Sequence, residues 1–191
     1  LEGLILERVT IDSWKGGVMG ILGIDPGTLR MGYGVIGEDP NPHADDYGVI
    51  ALPRKMPLEQ RLYQLHTHIL NLIAIFHPSA VAVEQPFMGK GERSFPGSAL
   101  AIGQAQAAVF IGAASQGIPI FKYAPAQVKS AVADYGSASK EQMREIVSTT
   151  LGLKDVPESD AADALAVGLC HLIQEQADVA LDRIIKPGQE R

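Results

Sequence analysis

Four acidic residues stand at positions from which their carboxylates could act together. Asp25 ends the apolar run GILGID and is followed by Pro-Gly, and Glu84 ends the run AVAVE and is followed by Gln-Pro. Asp160 and Asp163 lie three residues apart at the start of a predicted helix, so both lie on one face of its first turn. The four carboxylates therefore come from three distant segments, each at the end of a predicted element.

Carboxylates that converge in this way repel one another unless a cation lies between them. A ligand set of oxygen atoms without His or Cys favours Mg²⁺ or Mn²⁺. Two such ions can activate a water molecule and stabilise the leaving oxygen of a phosphodiester. The pattern therefore favours metal-dependent hydrolysis of phosphodiesters, provided that the fold brings the three segments together.

Each acidic residue alone has a simpler explanation. Asp25 in Asp-Pro-Gly is a common turn residue, and Glu84 at a strand end could simply be solvated. Asp160 and Asp163 could cap free amides and complement the dipole of the helix that they begin. Only their joint arrangement favours a shared site.

The order of apolar runs predicts the elements that must position these residues. GILGIDPG, MGYGVIG and DYGVIAL are separated by turn residues, which predicts three antiparallel strands. Apolar residues recur at steps of three and four over 58–76, which predicts a helix that ends before Pro78. The segment 80–85 reads as a buried strand that Pro86 stops.

The second half of the chain alternates between helix and strand. Ser139 with Gln142 forms a capping box that opens a short helix. The other predicted elements are an Ala- and Gly-rich helix over 98–116, a strand over 118–123 and a last helix from about 159 to 176. Together with the first strands, this order predicts an α/β fold with a mixed five-stranded sheet flanked by helices.

Length and composition predict one domain. The chain has 191 residues, of which 46% are apolar, enough to bury a substantial core. We assign the domain to 19–176, an N-terminal extension of uncertain order to 1–18 and a polar C-terminal tail to 177–191. No run approaches the roughly 18 to 20 apolar residues of a membrane span. A single cysteine, Cys170, gives no sign of an oxidising compartment, so we expect a cytoplasmic location.

The formal net charge of −6 argues against binding to nucleic acid, since neutralisation of phosphates supplies much of such affinity. Two considerations weaken that objection. A metal ion would neutralise several of the acids, and the local field depends on where the charges lie. Solubility is the simpler explanation of an acidic composition.

Several motifs together resemble the successive sequence blocks of RuvC Holliday junction resolvases, in order and in spacing. The similarity covers about residues 19–175. The blocks are MGILGIDPGTLRMGYGV, VAVEQPFM, GSALAIGQAQ, QVKSAVADYGSASKEQM and SDAADALAVGLCH.

This resemblance implies a ribonuclease H-like fold and a homodimer whose two-fold symmetry matches four-way junction DNA. It implies paired symmetric nicking that leaves a 5′-phosphate and a 3′-hydroxyl, together with the branch-migration proteins RuvA and RuvB as partners. It also implies that Asp25, Glu84, Asp160 and Asp163 are catalytic and bind two Mg²⁺ ions per subunit, for which Mn²⁺ can substitute.

The resemblance further implies residues that contact DNA. Phe87 matches an aromatic residue placed to stack on a base near the junction centre, and such stacking is worth roughly 1 to 3 kcal/mol. Lys129 and Lys140 match basic positions that meet phosphate. Lys90 and Arg93 lie in a glycine-containing loop suited to DNA contact. A buried phenylalanine and solvated lysines are the alternative explanations.

The chain departs from the family pattern at three places. The loop after Phe87 is longer, the first 18 residues have no counterpart, and Gln106 stands where the family usually has arginine. These departures concern affinity and sequence preference more than chemistry. His171 lies about 16 Å along the last helix from Asp160, at roughly 1.5 Å per residue, so we interpret it as a structural histidine.

Three other functions fit part of the pattern. The IDPGT segment also resembles the phosphate loop of actin-like and sugar-kinase folds, which however need two lobes. A YqgF-like ribonuclease H-fold nuclease that acts on RNA is the main alternative. A junction-binding protein without catalysis is the third, and the presence of all four carboxylates argues against it.

Overall fold

The computed structural model describes residues 20–85, 96–133, 136 and 138–185. These residues form five strands and five helices. In chain order they are β1 (Ile21–Asp25), β2 (Arg30–Gly37), β3 (His43–Ala51), α1 (Leu58–Phe76), β4 (Ala80–Glu84), α2 (Pro96–Ser115), β5 (Ile120–Tyr123), α3 (Pro125–Ala133), α4 (Lys140–Thr150) and α5 (Ser159–Ile185).

The strands form one mixed sheet in the order β3-β2-β1-β4-β5. β1 pairs antiparallel with β2, and β2 pairs antiparallel with β3. β4 lies parallel to β1, and β5 lies parallel to β4. The predicted antiparallel meander and the predicted five-stranded mixed sheet are both confirmed.

Helices cover both faces of the sheet, so its central strands carry apolar residues on both sides. Leu22, Ile24 and Val83 belong to a core that they share with α1 and α2. Ile21 and Ala82 alternate with them and belong to a second core, shared with α3, α4 and α5. The sheet therefore lies between two helical layers, and α5 lies in the second.

The main chain of α5 approaches the sheet unusually closely. A β-carbon added at Gly23 would overlap the main-chain oxygen of Ala164, and one added at Gly32 would overlap the main-chain oxygen of Asp160. Only glycine has no side chain to obstruct such contacts. These two glycines therefore allow the first turns of α5 to lie directly on β1 and β2.

The predicted capping box forms, and a glycine lies just beyond the end of α2. The Ser139 side chain accepts a hydrogen bond from the Gln142 main-chain amide, and the Gln142 side-chain oxygen accepts one from the Ser139 main-chain amide, which completes the capping box. Gly117 follows α2 with a φ of 71°, a left-handed conformation that glycine adopts without strain.

Two helical segments differ from prediction. No element was predicted for α3, because this helix is too short to show a clear apolar period. The helix begins at Pro125, and the Gln127 side chain accepts a hydrogen bond from the Ala124 amide. The predicted end of α5 near Gln176 is wrong, because the helix continues to Ile185. Its apolar period ends at Leu172, and the following turns are mostly solvent-exposed helix that carries no burial pattern.

The close approach of α5 predicts that Gly32→Ala destabilises the protein. The added methyl group would overlap the Asp160 carbonyl and force the helix away from the sheet, at a cost of about 1 to 3 kcal/mol. Gly103→Ala is the matched control, because a β-carbon there would meet no other atom of the described residues within 4 Å outside its own helix backbone and chain neighbours. Chemical denaturation of both variants tests this, and equal stability of the two would contradict it.

Candidate active site

Asp25 and Glu84 lie side by side at one edge of the sheet. They end the neighbouring parallel strands β1 and β4, whose register pairs Ile24 with Val83. Side chains alternate along a strand, so both carboxylates project on the same face as Gly23. That is the face on which α5 lies.

The first turn of α5 adds the other two carboxylates. Asp160 and Asp163 stand at the second and fifth positions of the helix, and the Ala162 amide donates a 2.8 Å hydrogen bond to the Glu158 carbonyl as the turn begins. Because Gly32 is the pairing partner of Asp25 and lies under Asp160, this turn is held above the strand end. The helix N-terminus also favours negative charge.

Burial and mutual repulsion shift the titration of the two strand-end carboxylates. Burial is the main cause that raises the pKa of Asp25 to about 7, with further increases from the charges of Asp163 and Asp160. Burial likewise raises the pKa of Glu84 to about 7, with contributions from Asp25 and Asp163. The cluster is therefore desolvated, and its members oppose one another's ionisation.

Two of the predicted DNA-contacting lysines lie near this cluster. Lys140 begins α4 with its ammonium group 3.9 Å from an Asp163 oxygen, and its charge lowers the pKa of both strand-end carboxylates. The Lys129 ammonium donates a 2.9 Å hydrogen bond to the Ala138 carbonyl, and its charge also acts on Glu84. Burial raises the pKa of Asp163, and these lysines oppose that shift. Positive charge therefore borders the acidic cluster.

One charged partner of the site was not found from the sequence. The Arg30 guanidinium donates from Nε to Asp160 Oδ2 at 2.6 Å and from Nη2 to Glu158 Oε2 at 2.5 Å. Asp160 thus has a cationic partner on β2, 130 residues away in the chain. The sequence signal is weak, since nothing in the sequence relates Arg30, at the start of β2, to Glu158, just before α5.

Gln106 also supports the site, in a way that the sequence analysis missed. The family comparison indicates only the loss of a cation at this position, but the buried side-chain amide of Gln106 donates a 2.8 Å hydrogen bond to the Glu84 carbonyl. This bond ties α2 to the end of β4. The available signal was a polar residue within the Ala-rich stretch of α2.

Phe87, Lys90 and Arg93 lie outside the residues that the structure describes. The interpretation of His171 as structural is confirmed, because it is buried and its Nδ1 lies 2.7 Å from the Tyr123 hydroxyl.

The chemistry of the site suits a hard divalent cation. All four donors are carboxylates, and their partial burial and mutual repulsion would be relieved by a positive charge among them. Within residues 20–85, 96–133, 136 and 138–185, however, no three acidic, His or Cys side chains converge as a ready-made metal site. Asp160 directs one oxygen to Arg30. Metal binding would therefore require side-chain rotation within a cluster whose backbone positions are already set.

The raised pKa of Asp25 predicts a pH-dependent stability difference for Asp25→Asn in metal-free buffer. From the ordinary value of 3.8 up to about 7, the unfolded chain releases the Asp25 proton while the folded chain retains it, so rising pH favours unfolding. Asparagine has no such penalty. Between pH 5 and pH 8, the free energy of unfolding of the variant should therefore rise by about 1 to 3 kcal/mol relative to that of the wild type.

Urea denaturation at several pH values measures this difference. Asp155→Asn, which changes an exposed loop carboxylate, is the matched control and should show no such trend. A constant offset between Asp25→Asn and the wild type across this pH range would contradict the assigned burial and repulsion.

Comparison with known proteins agrees with the geometry. The family model for crossover junction endodeoxyribonuclease RuvC matches residues 21–171. The crossover junction endodeoxyribonuclease RuvC of Dehalococcoides mccartyi is 44% identical over 173 residues, which cover 89% of this chain and 98% of that protein.

Solved structures show the same fold. Thermus thermophilus RuvC superposes with a TM-score of 0.75 at 33% identity, over 84% of this chain and 97% of that one. The same protein in complex with a Holliday junction substrate superposes with a TM-score of 0.73 at 32% identity, over 84% of this chain and 96% of that one. The yeast mitochondrial Holliday junction resolvase Ydc2 superposes with a TM-score of 0.61 at 19% identity, over 92% of this chain and 86% of that one. This is a likeness of fold alone. The predicted ribonuclease H-like fold is thereby confirmed, and the chain belongs to the RuvC family of crossover junction endodeoxyribonucleases.

Proposed function

We propose that this protein resolves Holliday junctions by paired, symmetric nicking of two DNA strands. The observation that carries the proposal is the placement of Asp25, Glu84 and the first turn of α5 at one sheet edge. The match to the RuvC model over residues 21–171 supports the same substrate and disfavours the YqgF-like alternative. The solved relative with a junction bound supports a four-way DNA substrate rather than RNA.

The four carboxylates of Asp25, Glu84, Asp160 and Asp163 are proposed to be catalytic and to hold two Mg²⁺ ions, for which Mn²⁺ can substitute. When bound, such ions supply a nucleophilic water and stabilise charge that develops on the phosphodiester. Asp25 and Glu84, whose pKa values are raised to about 7, would have to be ionised to serve as ligands.

Other residues of the site orient rather than react. Gln106 holds the main chain at Glu84, and Gly32 allows the first turn of α5 to lie over the strand end. Positioning and electrostatic stabilisation then account for the chemistry, without a covalent intermediate. This agrees with the described site, which is formed by carboxylates at fixed backbone positions.

We propose that local positive charge allows DNA binding despite the net charge of −6. Lys129 and Lys140 border the carboxylates, and we propose that they contact backbone phosphates beside the cleaved bond. Lys90 and Arg93 are proposed to make further phosphate contacts, and Phe87 to stack on a base near the junction centre. The acidic residues of the site would be neutralised by metal.

The assembly and location of the protein are part of the same proposal. A homodimer would present two sites to the two strands of like polarity, and RuvA and RuvB are the expected partners. The described helices include none that could span a bilayer. We propose a cytoplasmic protein, with 19–176 as the nuclease domain.

Cleavage of a synthetic four-way junction tests the function. We expect paired nicks that require Mg²⁺ and are absent from a linear duplex of the same sequence. Glu84→Gln keeps the shape of the side chain and the backbone bond to Gln106 but removes a ligand charge, so the rate should fall on the order of 100-fold or more.

Junction binding by Glu84→Gln, measured by gel shift, separates lost chemistry from lost affinity. Wild-type cleavage without a divalent metal, or an unchanged rate in this variant, would overturn the proposed mechanism. Equal cleavage of the linear duplex would overturn the substrate assignment.

A further inference from the structure

Arg30 is a charged residue at the site to which the proposed function assigns no role. It begins β2, and its guanidinium binds two carboxylates at once, with Nε 2.6 Å from Asp160 and Nη2 2.5 Å from Glu158. Two donors in a rigid plane fix direction as well as distance, which a single ammonium group cannot do.

The two carboxylates that Arg30 binds belong to the same turn. Glu158 immediately precedes α5, and its carbonyl accepts the hydrogen bond from Ala162 that begins the helix. Arg30 therefore links the start of α5 to β2 at the point where Gly32 lies under Asp160. The hydrogen bond occupies only Oδ2 of Asp160, and a carboxylate held by one oxygen can still offer the other to a cation.

Stability does not account well for this arrangement. The Arg30 side chain is 50% exposed, Glu158 is 69% exposed and Asp160 is 30% exposed, and ion pairs so open to water stabilise a fold little. The same exposure lets water screen the repulsion between the guanidinium and a nearby metal ion. Water does not screen the loss of side-chain orientation, in contrast. Arg30 should therefore affect metal binding mainly through the orientation of Asp160.

We propose that Arg30 is a positioning residue that holds Asp160 ready to bind a divalent cation together with the other carboxylates. This inference rests on the proposed function, because it assumes a metal site at the cluster. Groups that orient a metal ligand typically change metal affinity by about 10- to 100-fold when they are removed.

Calorimetric titration of the full-length protein with Mn²⁺ tests the inference. Arg30→Ala should raise the Kd for Mn²⁺ by about 10- to 100-fold, while the melting temperature stays close to that of the wild type. Arg30→Lys keeps the charge but loses the planar pair of donors, so it should recover only part of the affinity. Arg54→Ala removes an exposed arginine outside this cluster and should leave the Kd unchanged.

Junction cleavage over a range of Mn²⁺ concentrations separates positioning from general damage. The Arg30→Ala variant should need more metal for half-maximal cleavage, yet reach within about threefold of the wild-type rate at saturating metal. A rate that stays low at every metal concentration would instead show a structural defect and overturn the inference.

The outcomes also separate this inference from the proposed function. If the wild type binds Mn²⁺ and Asp25→Asn does not, but Arg30→Ala binds as tightly as the wild type or more tightly, the positioning role is wrong and the metal site remains. If the wild type binds no Mn²⁺ and cleaves no junction, the proposed function fails, and the role of Arg30 fails with it.

Discussion

Direct contact between the main chain of α5 and the strands β1 and β2 is the constraint on which the site depends. Gly23 and Gly32 leave no side chain between helix and sheet, so the helix start lies over the ends of the strands. Any residue with a β-carbon at Gly32 would lift Asp160 away from Asp25. The positions of the four carboxylates thus depend on these two glycines as well as on the acidic residues themselves.

This close packing has an electrostatic consequence. It buries Asp25 and Glu84 beside other acids, which raises the pKa of both to about 7 and makes their ionised forms unfavourable. The surrounding cations offset this only in part, since Lys140 is largely exposed and Arg30 binds at the outer side of the cluster, through Asp160 and Glu158. Proteins commonly sacrifice stability at functional sites in this way. A bound divalent cation would relieve this repulsion, and the relief would contribute to the affinity for the metal.

Much of this could be predicted because the signals are local. Strand ends marked by proline located Asp25 and Glu84, and helical spacing placed Asp160 beside Asp163. Apolar runs of strand length predicted the five strands, and the signal is clearest in the central strands β1 and β4, which are buried on both faces. Neither kind of signal depends on contacts between distant parts of the chain.

The features that were missed depend on such contacts or lack a periodic pattern. Arg30 and Asp160 are 130 residues apart, and the bond from Gln106 to the Glu84 carbonyl involves a main-chain atom that any residue could supply. The exposed end of α5 carries no apolar period because it packs against little. The sequence pattern therefore could not predict that this segment is helical.

Proton release on metal binding tests the central claim most directly. If burial and repulsion keep Asp25 and Glu84 partly protonated near neutral pH, binding of Mg²⁺ must displace those protons. Calorimetry at pH 7 in buffers of different ionisation enthalpy should then show the release of about one proton per site, falling towards zero at pH 9. Binding without proton release at pH 7 would show that the carboxylates are already ionised, which would contradict the electrostatic account of the site.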